Sequence, residues 1–190
     1  MISAIILAAG KSTRMGQQKM LMPWGKSTVL ATVIQTIHKA GVEDIILVTN
    51  SEIASRFSNL DMKILLNTTD GEMLTSLQIG LREQKLSAEA TLVCLGDQPQ
   101  VEERSVQSVC EMFQKTKSNL IVPSYNHRRG HPWLAARPLW DEILAMKSDQ
   151  SPRDFLNAHA NEIEYVELDT PTILQDLDTP QDYLKYKPPL

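Results

Sequence analysis

Ser12, Arg14 and Lys19 follow three small residues, Ala8-Ala9-Gly10, that close the apolar run "SAIIL". Small residues let a ligand lie directly on the backbone, free amides of a loop attract anions, and Arg and Lys neutralise phosphate. A loop of this make-up suits a polyphosphate. A strand end followed by solvated charges has the same make-up, so residues 8–19 by themselves admit both readings. Further along, "LVCLGDQPQV" sets Asp97 just beyond another apolar run. A carboxylate there can hold Mg²⁺, which takes one or two protein carboxylates plus substrate oxygens. "GDQP" is also a plain turn sequence.

The tetrapeptide Gly-Lys-Ser-Thr occurs twice, at 10–13 and 25–28. It ends the P-loop pattern G-x-x-x-x-G-K-[ST], whose first glycine lets the loop fold back around phosphates. That position holds Ile5 in the first case and Met20 in the second. Neither is a P-loop. The second copy reads more simply as a turn at Gly25 with Ser27 as the N-cap of a helix.

The elements that must position these groups alternate. "SAIILA" (3–8), "DIILVT" (44–49), "MKILL" (62–66), "ATLVCL" (90–95) and "NLIVP" (119–123) are continuous apolar runs, as expected of strands buried on both faces. Between them "STVLATVIQTIHKAG", stopped by Gly41, "LTSLQIGLREQ" and "RSVQSVCEMFQKTK" carry helical spacing. The alternation predicts an α/β fold with a mostly parallel sheet and helices on both faces. Ligands of such sheets bind at the C-terminal ends of the strands, where both Arg14–Lys19 and Asp97 fall. After residue 123 "SYNHRRGHPWLAA" breaks the rhythm and reads as an inserted loop or hairpin. Helical patterns at 138–147 and 152–160, a strand at 163–168 and a last helix from Pro180 complete one domain.

The chain has 190 residues, 42% of them apolar, and a net charge of -4. These totals exclude disorder and a global field for nucleic acid or membrane lipid. The two cysteines, Cys94 and Cys110, form no CxxC and read as buried free thiols of a reducing cytosol. No signal-peptide pattern or membrane-length apolar run is found, so the expected location is the cytoplasm.

"LAAGKSTRMGQQK" (7–19) resembles the signature L-A-A-G-x-S-x-R-M-G-x-x-K of the MobA-like NTP transferases, the nucleotidyltransferases related to the molybdenum-cofactor guanylyl- and cytidylyltransferases. "DGEMLTSLQIGL" (70–81), "GDQPQV" (96–101), "RRGHPWL" (128–134) and "DLDTPQDY" (176–183) agree in order, so the resemblance spans nearly the whole chain. "LAAG", "RGHP" and "DTPxDY" are similar to the molybdopterin cytidylyltransferase branch. "MPWGKST" departs from the usual "LPxGGKP", and Glu72 stands beside the implied base pocket.

The resemblance implies a Rossmann-like three-layer α/β/α sandwich of the nucleotide-diphospho-sugar transferase type. It implies transfer of CMP from CTP to the terminal phosphate of molybdopterin, with Mg²⁺ as cofactor and a product for molybdenum hydroxylases of the xanthine dehydrogenase type. Leu7, Ala8, Ala9 and Gly10 would line the nucleotide, and Ser12, Arg14 and Lys19 would grip its triphosphate. Gly71 and Ser76 would complete the base and ribose pocket. Asp97 and Asp178 would ligate the metal, with Arg14, Lys19 and Asp97 catalytic. Arg129, Gly130, His131 and Pro132 would form the acceptor side.

Read as residues alone, the Arg128-Arg129 pair suits an anionic acceptor or is plain surface charge, and His131 is an acceptor contact or part of a turn. His38 and His159 lie in helical patterns and read as packed or solvated. Three other functions compete: a cytidylyl- or guanylyltransferase for a sugar, polyol or phospholactate phosphate; a non-catalytic protein delivering the cofactor to a hydroxylase; and a P-loop NTPase. Intact Arg14, Lys19 and Asp97 oppose the second, and the missing glycines oppose the third.

Overall fold

The computed structural model describes residues 1–10, 12–60, 62–69 and 72–188. Among the described residues ten strands are found: β1 Ile2–Ala8, β2 Pro23–Trp24, β3 Ser27–Thr28, β4 Ile45–Thr49, β5 Lys63–Leu66, β6 Ala90–Leu95, β7 Leu120–Tyr125, β8 Arg128–Arg129, β9 Trp133–Ala136 and β10 Glu164–Glu167. They alternate with helices α1 Val29–Lys39, α2 Ser51–Phe57, α3 Met73–Arg82, α4 Glu103–Thr116, α5 Trp140–Ala145, α6 Pro152–Ala158 and α7 Pro180–Tyr186.

The main sheet runs β10-β7-β9-β6-β1-β4-β5, with β8 paired to the end of β7. β1 lies parallel to β4 and β6, β5 to β4, and β10 to β7. β9 enters antiparallel between β6 and β7. The segment expected to be an inserted loop or hairpin thus contributes both. Asn126 and His127, at φ 49° and 61°, turn β7 into β8, the left-handed pair that a two-residue hairpin requires. The chain then returns as a buried central strand.

Side chains alternate across each strand, so β1 feeds two cores. Ala4, Ile6 and Ala8 meet α1 and α4 through Leu30, Val33, Val106 and Phe113. Ile5 and Leu7 face α3, α5 and α6 through Leu77, Leu81, Trp140 and Phe155. The result is a three-layer sandwich. No helix among the described residues is long and apolar enough to cross a membrane.

One helix start differs from the sequence reading. Ser27 pairs with Trp24 in the small β2–β3 ribbon, so it is spent before the helix begins. Thr28 is the N-cap of α1, its hydroxyl accepting from Ala31 N at 3.3 Å. A third apolar cluster, Met15, Met22, Trp24, Val29, Leu177 and Tyr183, joins the loop after β1 to the C-terminal segment. Tyr183 Oη donates to the carbonyl of Pro23 at 2.5 Å. That clamp carries Asp178 to the edge of the sheet where β1 and β6 end.

Candidate active site

The end of β1 is held from both sides. Leu7 O accepts from Gly96 N at 3.0 Å, and Ala8 O accepts from Thr49 Oγ1 at 3.0 Å. A Cβ on Gly96 would stand 3.0 Å from Ala8 Cβ and 3.2 Å from Leu7 O, so glycine lets the two loops lie this close. Leu7, Ala8 and Ala9 are buried, whereas the space beside Gly10 is open.

Ser12 organises the next turn. At φ 49° it is left-handed; its hydroxyl donates to Gln18 Oε1 at 2.9 Å and accepts from Lys19 N at 3.2 Å. Lys19 is thereby set at the start of a 3₁₀ turn with its side chain largely covered. Its Nζ lies 2.5 Å from Asp97 Oδ2 and 3.3 Å from Asp178 Oδ1. Arg14 is far more exposed and approaches Asp178 at 3.8 Å. Burial alone would lower the Lys19 pKa, but the two carboxylates outweigh it and raise it above its ordinary value.

Asp97, Lys19, Asp178 and Arg14 therefore come together. Leu177 N donates to Asp97 O at 3.2 Å, which locks the two acidic segments side by side. Asp176 joins them, a residue that the sequence reading passed over. Its pKa is raised by burial and then by the neighbouring charges of Asp97 and Asp178, against a 2.6 Å hydrogen bond from Gln98 Nε2. The pattern Asp-Leu-Asp was the available signal, since alternate residues of an extended segment share a side.

Two oxygens converging on one cation is a donor set suited to a hard metal ion. No group of three His, Cys, Asp or Glu among the described residues could cage a metal. Two carboxylates completed by substrate oxygens is the habit of Mg²⁺ rather than of a protein-enclosed ion. The residues fit that ion.

Ser76 behaves differently. It is 1% exposed on the inner face of α3 and accepts from Asn67 Nδ2 at 2.8 Å. Its side chain ties the loop after β5 to α3 and presents no surface to a ligand. Gly71 lies outside the described residues.

Beyond Asp176 a cleft of about 780 Å³ opens over the β7–β8 turn, Ile173 and Leu174 of the 3₁₀ turn Pro171–Leu174, and the start of α6. Gly130 is buried against that turn: a Cβ there would stand 2.6 Å from Ile173 O. His131 N donates to Ile173 O at 3.0 Å, and burial pushes its imidazole down to about 4. Arg129 is tied in place, Nε to Tyr165 Oη at 2.9 Å and Nη1 to Leu156 O at 3.2 Å and Asn157 Oδ1 at 2.9 Å. Arg128 and Arg153 line the same cleft. Arg153 was missed because, in "SPRD", it reads as ordinary first-turn charge.

A family model described as MobA-like NTP transferase domain matches residues 4–163. The molybdenum cofactor cytidylyltransferase of Escherichia coli (strain K12) is 28% identical over 98% of this chain and 95% of its own length. The probable molybdenum cofactor guanylyltransferase of Natranaerobius thermophilus is 27% identical over 64% of this chain and 60% of its own. Among solved structures, Rv0371c of Mycobacterium tuberculosis H37Rv superposes with a TM-score of 0.85 at 23% identity, over 97% of this chain and 96% of that one. A complex of Rv0371c with manganese gives 0.78 at 22%, over 98% and 97%.

Proposed function

We propose, from the premise that this chain belongs to the MobA-like NTP transferase family, that it transfers CMP from CTP to the phosphate of a molybdopterin-type acceptor. The observation that carries the reading is the convergence of Lys19 with Asp97 and Asp178, close in the chain to Gln98 and Asp176, which line a basic cleft. The similarity to the Escherichia coli cytidylyltransferase along nearly its whole length supports CTP and molybdopterin.

An acceptor phosphate oxygen attacks the α-phosphorus, a new P–O bond forms, and pyrophosphate leaves. Two anions meet, so the protein's task is neutralisation and in-line alignment. Lys19 and Arg14 balance charge on the triphosphate. Asp97 and Asp178 would hold Mg²⁺, which when bound offsets the charge that passes to pyrophosphate. The manganese complex of Rv0371c agrees with a divalent ion in this role. A phosphate nucleophile is already ionised near pH 7 and needs no general base. His131, neutral at that pH, shapes the acceptor side without adding charge.

We place the reaction in the cytoplasm, supported by the buried free thiols of Cys94 and Cys110. The product would serve a molybdenum hydroxylase of the xanthine dehydrogenase type.

The test is incubation with molybdopterin, Mg²⁺ and each labelled nucleotide, with product mass as readout. The expected product is the CMP adduct, with CTP preferred over GTP by about tenfold or more, about 1.4 kcal/mol. Equal rates or a preference for GTP would reassign the base. A nucleotide adduct formed only on a sugar phosphate would remove molybdopterin.

A further inference from the structure

The cleft beyond Asp176 concentrates positive charge in a chain whose net charge is -4. Arg128, Arg129 and Arg153 line it, and among the described lining residues Asp176 is the one carboxylate. Local charge of one sign inside a concave wall raises the concentration of an oppositely charged ligand there. The arginines are not equivalent. Arg129 spends Nε and Nη1 on Tyr165, Leu156 and Asn157, which ties β8 to β10 and α6. Its ring-stacked position over Tyr165, 5.9 Å from the centroid, further fixes it. Arg128 and Arg153 are exposed, and no described residue forms a salt bridge with either. They come from separate elements, β8 and the first turn of α6.

We propose that Arg128 and Arg153 are the guanidinium pair that binds the anionic group of the acceptor, and that Arg129 is a positioning residue holding β8 against α6. This assignment rests on reading the chain as a nucleotidyltransferase with a phosphate acceptor. A planar fork of donors matches a phosphate oxygen pair bidentately, and two forks supplied by separate elements would fix its orientation as well as its charge. At about 780 Å³ the cleft has the size of sites that enclose whole cofactor-sized ligands, so it has room for an acceptor larger than a simple phosphorylated polyol. The nucleotide loop at Ser12–Lys19 contributes no wall to it.

Arg128→Ala and Arg153→Ala should each raise the acceptor KM about tenfold or more, with the deficit shrinking as salt rises. Their kcat, CTP affinity by calorimetry and melting temperature should stay close to wild type. Arg129→Ala should instead lower the melting temperature. Unchanged acceptor KM in both single variants and their double, or a parallel loss of CTP binding, would overturn the assignment. An arm that needs no turnover separates this from the substrate reading. Phenylglyoxal labelling mapped by mass spectrometry should modify Arg128 and Arg153 faster than Arg129. Protection of the pair by molybdopterin supports both the assignment and the substrate. Protection by a sugar phosphate alone supports the pair and overturns molybdopterin. No protection by either overturns the pair.

Discussion

The ammonium of Lys19 lies 2.5 Å from Asp97 Oδ2, although 78 residues separate them in the chain. The contact exists because Ser12 fixes where Lys19 begins its turn and Gly96 lets the loop after β6 close on β1. Two strand ends, each ordinary alone, thereby deliver opposite charges to one point at the edge of the sheet.

Asp97→Asn keeps the shape of that carboxylate and removes its charge. Turnover with Mg²⁺ is expected to fall about a hundredfold or more, about 2.7 kcal/mol in the barrier, with the far-ultraviolet spectrum unchanged. Pyrophosphate release close to the wild-type rate would take Asp97 out of metal binding.

Gly130→Ala addresses a different part of the site. The added methyl carbon would sit 2.6 Å from Ile173 O and 2.8 Å from Ile173 Cβ, a carbonyl and a Cβ whose positions no side-chain rotation changes. Overpacking of this kind costs about 1–3 kcal/mol, and for a chain of this size each kcal/mol lowers Tm by about 2–4 °C. Thermal unfolding should show that drop, and acceptor KM should rise with it, since Ile173 lines the cleft. A variant as stable as wild type would show that the segment around Ile173 yields easily.

The parallel strands were legible because burial on both faces writes a strand as an unbroken apolar run. β9 carries the same signal in "WLAA", yet its antiparallel entry between β6 and β7 depends on pairing, which no period within one segment encodes. The start of α1 lies one residue later than cap preference alone suggests, because Ser is the better cap of the two and only the ribbon with Trp24 withdraws Ser27. At the site, the loop Ser12–Lys19 lies within one stretch of sequence, and its resemblance to a signature picks it out. Asp176, Gln98 and Arg153 gain their meaning from neighbours distant in the chain, as in the 2.6 Å bond between Gln98 and Asp176. Ser76 shows the converse dependence on its surroundings. Its helical position was right, but the face of α3 that carries it points into the core.

His159 provides a pH test away from the chemistry. Its imidazole lies 2.9 Å from Glu142 Oε1 and 3.3 Å from Glu162 Oε2, over the ring of Phe155. The hydrogen bond to Glu142 outweighs partial burial, and the nearby Glu162 carboxylate adds to it, so the folded-state pKa is raised. A raised pKa means the stabilisation is full below the unfolded value of about 6.5 and fades as pH climbs through the folded value. His159→Gln should therefore lower Tm more at pH 5.5 than at pH 9. An equal loss at both values would show that the ring contributes packing alone.

Lys19→Met separates the ammonium's structural role from its catalytic one. The apolar chain still fills the channel between the loops after β1 and β6, but Asp97 and Asp178 now face one another without a cation. For a largely covered pair the expected loss lies between that of exposed and buried salt bridges, about 1–3 kcal/mol. A divalent ion held by the same two carboxylates should offset that loss, because binding to the folded state alone stabilises it. Mg²⁺ is thus expected to raise the Tm of the variant by more than it raises that of wild type, where Lys19 competes for the same oxygens. In the same variant kcat should fall by several kcal/mol of transition-state stabilisation if the charge acts on the triphosphate, even with Mg²⁺ saturating. Equal Mg²⁺ shifts in both proteins would show that the ion binds elsewhere, and a variant restored in stability and in rate together would leave Lys19 with no direct part in the chemistry.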